Sequence, residues 1–155
     1  KPFSTRHIHA IVGQVLRNRL MLKNYYNSAI SSSDVYDGNV ISNSEKHFIT
    51  QLTQYIEEHI TDENLSLDLI CDNMAVSRIQ LYRKITDLTS KTPSEFIRSV
   101  KLKRAEKLLR TTDLTVQEIM FRSGFNNKSY FYREFSARFH VSPKEFRKKI
   151  SESNQ

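Results

Sequence analysis

The sequence has 155 residues, 38% of them hydrophobic and 26% charged, which leaves room for one ordinary domain or a small domain with an appendage. A single cysteine, Cys71, excludes a disulfide framework and fits a reducing compartment; three glycines (Gly13, Gly38, Gly124) leave no material for a phosphate-cradling loop. Lysine and arginine outnumber aspartate and glutamate 24 to 17, a net +7 that is strongly segregated: residues 45–72 hold one base and seven acids, residues 73–155 hold 18 bases and eight acids. Such a basic field suits a nucleic acid or an anionic surface. No stretch approaches the ~18–20 apolar residues of a membrane span, and no secretory leader opens the chain. The start at Lys1 reads as a fragment of something longer. The five histidines never combine with Cys71 at zinc-ligand spacing, and His7 and His9, two apart, point to different faces of a helix, so neither metal nor cofactor is expected.

Residues 7–27 read as an amphipathic helix. Ile8, Val12, Val15, Leu22 and Tyr26 recur at heptad-like spacing, with Arg19 in the remaining position. The stripe fits either a coiled-coil seam that joins two copies or packing on a body outside this chain. Residues 1–30 are therefore taken as one unit, for signalling or dimerisation. Residues 31–44 follow, with ten of fourteen being Ser, Asn, Asp or Gly, and read as a flexible linker.

From Glu45 to about residue 150 every segment reads as helix, leaving 151–155 as a tail. Phe48, Leu52, Tyr55, Ile56 and His59 make one face of a first helix. Ser66 caps a second that runs to Met74, and Ser77 opens a third with Gln80 at the capping-box position. Thr92-Pro93-Ser94-Glu95 is a full capping box with proline at the first helical position, starting a fourth helix that runs to about Arg110. Thr115-Val116-Gln117-Glu118 repeats the box for a fifth, Asn126 or Asn127 caps a sixth, and Ser142-Pro143-Lys144-Glu145 starts a seventh. The fold class is all-α.

An internal repeat organises these helices. Ser66-Leu67 and Ile70 match Thr115-Val116 and Ile119 at an offset of 49, and Ala75-Val76 match Gly124-Phe125. Past the turn the offset is 50: Leu81-Tyr82-Arg83 match Phe131-Tyr132-Arg133, and Thr92-Pro93 match Ser142-Pro143. Each copy is a short helix, a tight turn and a longer helix, the helix-turn-helix layout. In the longer helices Leu81, Ile85 and Leu88, and Phe131, Phe135 and Phe139, fall on the core side. The opposite face carries Arg78, Ile79, Tyr82, Arg83 and Thr86 in one copy and Lys128, Ser129, Tyr132, Arg133 and Ser136 in the other. Arginine pairs twice with guanine, hydroxyls adapt, and isoleucine meets a thymine methyl, so this face suits major-groove reading. Without Thr86 and Ser136, and with the capping residues Ser77 and Asn127, this face forms the candidate DNA-binding set. A fourth helix of about 17 residues spans roughly 25 Å, enough with its flanking helices to set two reading helices about 34 Å apart, one turn of duplex. Its cations Arg98, Lys101, Lys103, Arg104 and Lys107 are expected mostly to face solvent or phosphate.

The residues Ile97-Arg98, Leu102, Ala105 and Leu108-Leu109, then Ile119, Ser123-Gly124-Phe125, Tyr130-Phe131 and Phe135, then Ser142-Pro143 and Phe146-Arg147 resemble the signature of the AraC/XylS transcription regulators over about residues 46–150. The resemblance implies a seven-helix domain of two helix-turn-helix subdomains joined by a linker helix, with bases read from helices three and six, and it adds Tyr130 to the candidate set. Ala75 departs from the family's usual glycine in the first turn. Lys1-Pro2-Phe3 before an amphipathic helix is similar to the end of a two-component receiver domain, which implies a response regulator or hybrid sensor with its phospho-accepting aspartate ahead of Lys1.

The leading reading is a sequence-specific double-stranded DNA-binding transcription regulator, expected to be a cytoplasmic activator and the output module of a two-component protein, either free or the tail of a membrane-anchored sensor. Double-stranded DNA, a second copy of the chain through its N-terminal helix and RNA polymerase are the candidate partners; no small-molecule ligand or membrane contact is expected of this stretch. The alternative is a basic helical module that docks an acidic protein. An enzyme fits poorly, because Cys71 sits in the apolar run Leu69-Ile70-Cys71 and the adjacent Glu57 and Glu58 diverge on a helix with only His59 nearby.

Overall fold

A computed structural model describes residues 43–155. The N-terminal helix and most of the linker expected from the sequence lie outside the described residues. Within them the chain forms seven helices and no strand: α1 (Asn43–Glu58), α2 (Leu67–Met74), α3 (Arg78–Thr89), α4 (Pro93–Thr111), α5 (Val116–Arg122), α6 (Lys128–Phe139) and α7 (Pro143–Ser153). The first helix begins two residues before Glu45, an offset typical of fraying helix ends.

Local chemistry sets the other boundaries. Ser77, Thr92, Thr115 and Ser142 each accept a hydrogen bond from the backbone N–H three residues on. The side chains of Gln80, Glu95, Glu118 and Glu145 in turn accept from the capping residue's own N–H, so every box satisfies two otherwise orphaned donors. Asn127, not Asn126, caps α6, its carbonyl oxygen accepting from Tyr130 N–H at 2.8 Å.

The helices enclose two hydrophobic clusters that share α4. Leu52 and Ile56 of α1, Ile70 of α2, Leu81 and Ile85 of α3, and Phe96 and Val100 of α4 form the first. Leu102, Ala105 and Leu109 of α4, Ile119 and Met120 of α5, and Phe131 and Phe135 of α6 form the second. The core faces expected for α3 and α6 hold, except that Phe139 is half-buried, lying against the rings of Phe135 and Phe146. In α1 the buried stripe includes Ile49 and extends past the helix to Ile60, while His59 is only half-buried and stacks on Tyr55.

The two turns differ. Ala75 adopts a left-handed conformation (φ 52°, ψ 43°), and Gly124 occupies the corresponding place at φ 82°. At Gly124 another stretch of backbone crowds the turn: a Cβ there would collide with the carbonyl oxygen of Ile60, so the second turn lies directly against the α1–α2 connection of the first subdomain.

Candidate nucleic-acid interface

Ser77, Arg78, Ile79, Tyr82 and Arg83 are all exposed at the start of α3, with Ile79 79% and Tyr82 51% accessible. A large apolar side chain left so open on a helix carrying arginine and tyrosine has no role in the core. On α6, Asn127, Lys128, Ser129 and Arg133 are exposed as well. Tyr130 and Tyr132 are half-buried: Tyr130 lies against Phe125, and Tyr132 meets Phe131 edge-on at 5.9 Å. Tyr132 is thus less outward than its counterpart Tyr82, because the aromatic second core draws its ring inward.

Several of these groups are already engaged. Ser77 Oγ and Asn127 Oδ1 accept capping hydrogen bonds, which leaves the Ser77 hydroxyl proton and the Asn127 amide as the donors open to a ligand. Arg78 is held by Asp68 of α2, Nε to Oδ1 at 2.7 Å and Nη2 to Oδ2 at 2.8 Å. The hydrogen bond and charge of Arg78 hold the Asp68 carboxyl below its ordinary range. Lys128 lies over the Tyr132 ring and Arg133 over the Tyr130 ring, at 5.8 and 5.3 Å from the centroids. Both cations rest on aromatic faces while staying open to solvent.

The cations of α4 depart from expectation. Of the five named from the sequence Lys107 alone is exposed; Arg98, Lys101, Lys103 and Arg104 are half-buried. Lys101 donates to the Gly124 carbonyl at 3.0 Å, Arg104 to the Arg122 carbonyl at 3.0 Å, and Arg98 to Glu134 Oε2 at 3.0 Å. Burial pushes the ammonium groups of Lys101 and Lys103 down. Three of the five therefore fasten the linker helix to the second subdomain, because the α5–α6 turn presents carbonyls that need donors and α6 presents an acid. Asp68 and Glu134 are not singled out by the sequence; the one signal is that Glu134 adjoins Arg133, while Asp68 lies ten residues before Arg78 on the preceding helix.

The cleft between the subdomains, about 470 Å³ and lined in part by Asp62, Lys101, Arg122 and Asn126, is open and mixed in charge. Cys71 is buried, and that burial pushes its thiol up, away from the nucleophilic thiolate. No group of three His, Cys, Asp or Glu among the described residues could hold a metal, and none of their helices is long and apolar enough to cross a membrane.

Two units, each presenting the exposed start of its longer helix and joined by one shared helix, define a double helix-turn-helix module. The chain belongs to the helix-turn-helix domain family, which it matches over residues 70–149, and its seven-helix fold is that of AraC-type DNA-binding domains. It is 29% identical over 154 residues to histidine kinase P4 of Formosa agariphila, covering 98% of this chain and 11% of that one. It is 32% identical over 99 residues to the HTH-type transcriptional activator RhaS of an Enterobacter species, covering 64% of this chain and 35% of the activator. The chain thus spans about a tenth and about a third of these relatives' lengths. Among solved structures it is similar to a transcriptional regulator of the AraC-type DNA-binding group from Chromobacterium violaceum, with a TM-score of 0.64 and 28% identity over 70% of this chain and 96% of that one.

Proposed function

We propose that the chain is the output module of a two-component signalling protein, acting in the cytoplasm as a sequence-specific activator of transcription that reads two successive major grooves. The observation that carries this is the pairing of equivalent exposed side chains at the starts of α3 and α6. Arg83 and Arg133 are both open to solvent on helices whose opposite faces bury Leu81, Ile85 and Leu88, and Phe131 and Phe135. Arg78, Ile79, Tyr82 and Arg83 would read one block of bases, and Lys128, Ser129, Tyr130, Tyr132 and Arg133 the other, while Ser77 and Asn127 donate from the helix starts. Phosphate neutralisation would supply most of the affinity and the side chains the discrimination.

The two-component setting is supported by the likeness to histidine kinase P4, which runs over nearly the whole chain, N-terminal segment included. Activation is supported by the likeness to RhaS and makes RNA polymerase the natural second partner. The heptad spacing of residues 8–26 supports a dimer; sedimentation that stays monomeric at high concentration would remove that part of the reading.

In vitro selection from a random duplex library, followed by anisotropy on the winner, tests the central claim. Two short blocks about one helical turn apart are expected. Arg83→Ala should relax one block and Arg133→Ala the other. A single block sensitive only to Arg133→Ala would reduce the first unit to a backbone clamp. Absence of enrichment would favour an acidic protein partner.

A further inference from the structure

Glu134 is an acid on the very helix that carries the second set of reading side chains. A free carboxylate there would repel phosphate or capture the donors of its neighbour Arg133. In the structure two arginines share that carboxylate unequally. Its Oε2 accepts from Arg98 Nη1 of α4 at 3.0 Å, while its Oε1 stands 3.6 Å from Arg133 Nε, beyond hydrogen-bond range. The three side chains differ in freedom: Glu134 is 19% exposed, Arg98 31% and Arg133 72%. Two arginines thus face one carboxylate: the more enclosed Arg98 holds it by a hydrogen bond, and Arg133 keeps only a longer ion pair with it. Arg133 instead rests over Tyr130 with its guanidinium open.

We propose that Arg98 is a positioning residue for base reading: by occupying Glu134 it keeps Arg133 available to DNA. This rests on the reading of α6 as a groove-reading helix. With Arg98 in place the Arg98–Glu134 pair is neutral and Arg133 keeps both its charge and its planar fork of donors. Without Arg98, a half-enclosed carboxylate loses its partner, a costly state that the nearest cation relieves. Arg133 needs to move less than about 1 Å to bring Nε into contact, and it then turns onto Glu134 the edge with which it would meet a guanine. Arg98 itself touches no base in this scheme. Its effect passes through Glu134 alone, which makes the effect of removing it conditional on the acid.

The test uses the full chain and its selected duplex, with Arg98→Ala, Glu134→Gln and the double substitution, each checked for folding by thermal melting. Arg98→Ala is expected to weaken binding roughly tenfold, the scale of one lost arginine–guanine pair, and only through the block that Arg133→Ala also relaxes. Glu134→Gln alone should bind at least as tightly as the unaltered chain, which keeps the proposal open to refutation even if Arg98→Ala unfolds. The double variant should return to within about threefold of Glu134→Gln, because the competitor for Arg133 is gone. A tenfold loss that persists in the double variant would show Arg98 acting on DNA or on the fold directly and would overturn the proposal, as would a loss equal on every sequence. If the unaltered chain selects no sequence at all, the groove-reading assignment itself fails, and this proposal with it.

Discussion

Arg78 and Asp68 meet across the first turn with both carboxylate oxygens engaged, at 2.7 and 2.8 Å. The second unit has Lys128 and Gln117 at the corresponding positions, so it cannot form the same clamp. Because both partners are about two-thirds exposed, the pair adds little to stability, and its weight falls on where the guanidinium points. Asp68→Asn should leave the melting temperature nearly unchanged while blurring base preference in the block beneath α3 and sparing the other. Repeating the selection with this variant checks it; a blurred second block would contradict the separation of the two units.

Acid should attack the helix starts together. The backbone and side-chain hydrogen bonds from Thr92 and Thr115, and those from Ser142, hold Glu95, Glu118 and Glu145 below the ordinary glutamate range in the folded chain. Carboxyls depressed on folding contribute stability that is fully present above the unfolded value, about 4.3, and is lost as pH falls through the lower folded values. Urea unfolding followed from pH 7 downward should therefore be flat to about pH 5 and then decline. Replacing the three glutamates by glutamine, which still accepts the capping bond, should flatten that decline.

Ala75 holds a left-handed backbone, with an exposed side chain that contributes no packing. Ala75→Gly removes the steric cost of that conformation but gives back some of it in unfolded-chain entropy, so a net gain of about 0.5–1 kcal/mol is expected. Chemical denaturation with an unchanged slope would report it.

The matching substitution in the second turn has the opposite sign. Gly124→Ala forces a side chain into the Ile60 carbonyl and strains φ 82°, and should destabilise by about 2–4 kcal/mol. Amide exchange should show the loss concentrated in α5 and α6.

Most of the fold was legible because its signals are local. Four capping boxes sit within four residues each, and the repeat doubles the cues from Ser66 onward, so helix order and the buried sides of α3 and α6 follow from spacing. What escaped is tertiary. Lys101 and Arg104 look like solvent cations by composition, yet each finds a carbonyl of the α5–α6 turn some twenty residues away, and no period in the sequence announces such a partner. Tyr132 escaped for a related reason: it shares its repeat position with Tyr82, but Phe131 and the other rings of the second core make a different floor beneath it. For the candidate interface the sequence supplies the face, and the structure adds which groups there are already held, Arg78 by Asp68 and the neighbouring Glu134 by Arg98.

Val100 and Leu102 stand two residues apart on one helix yet belong to different cores. Each subdomain can therefore diversify its interior without repacking the other, so long as the fastenings made by Arg98, Lys101 and Arg104 survive. A lineage could exchange its second unit for that of a relative at this seam, changing half of the recognised site in a single recombination event while inheriting the other half intact.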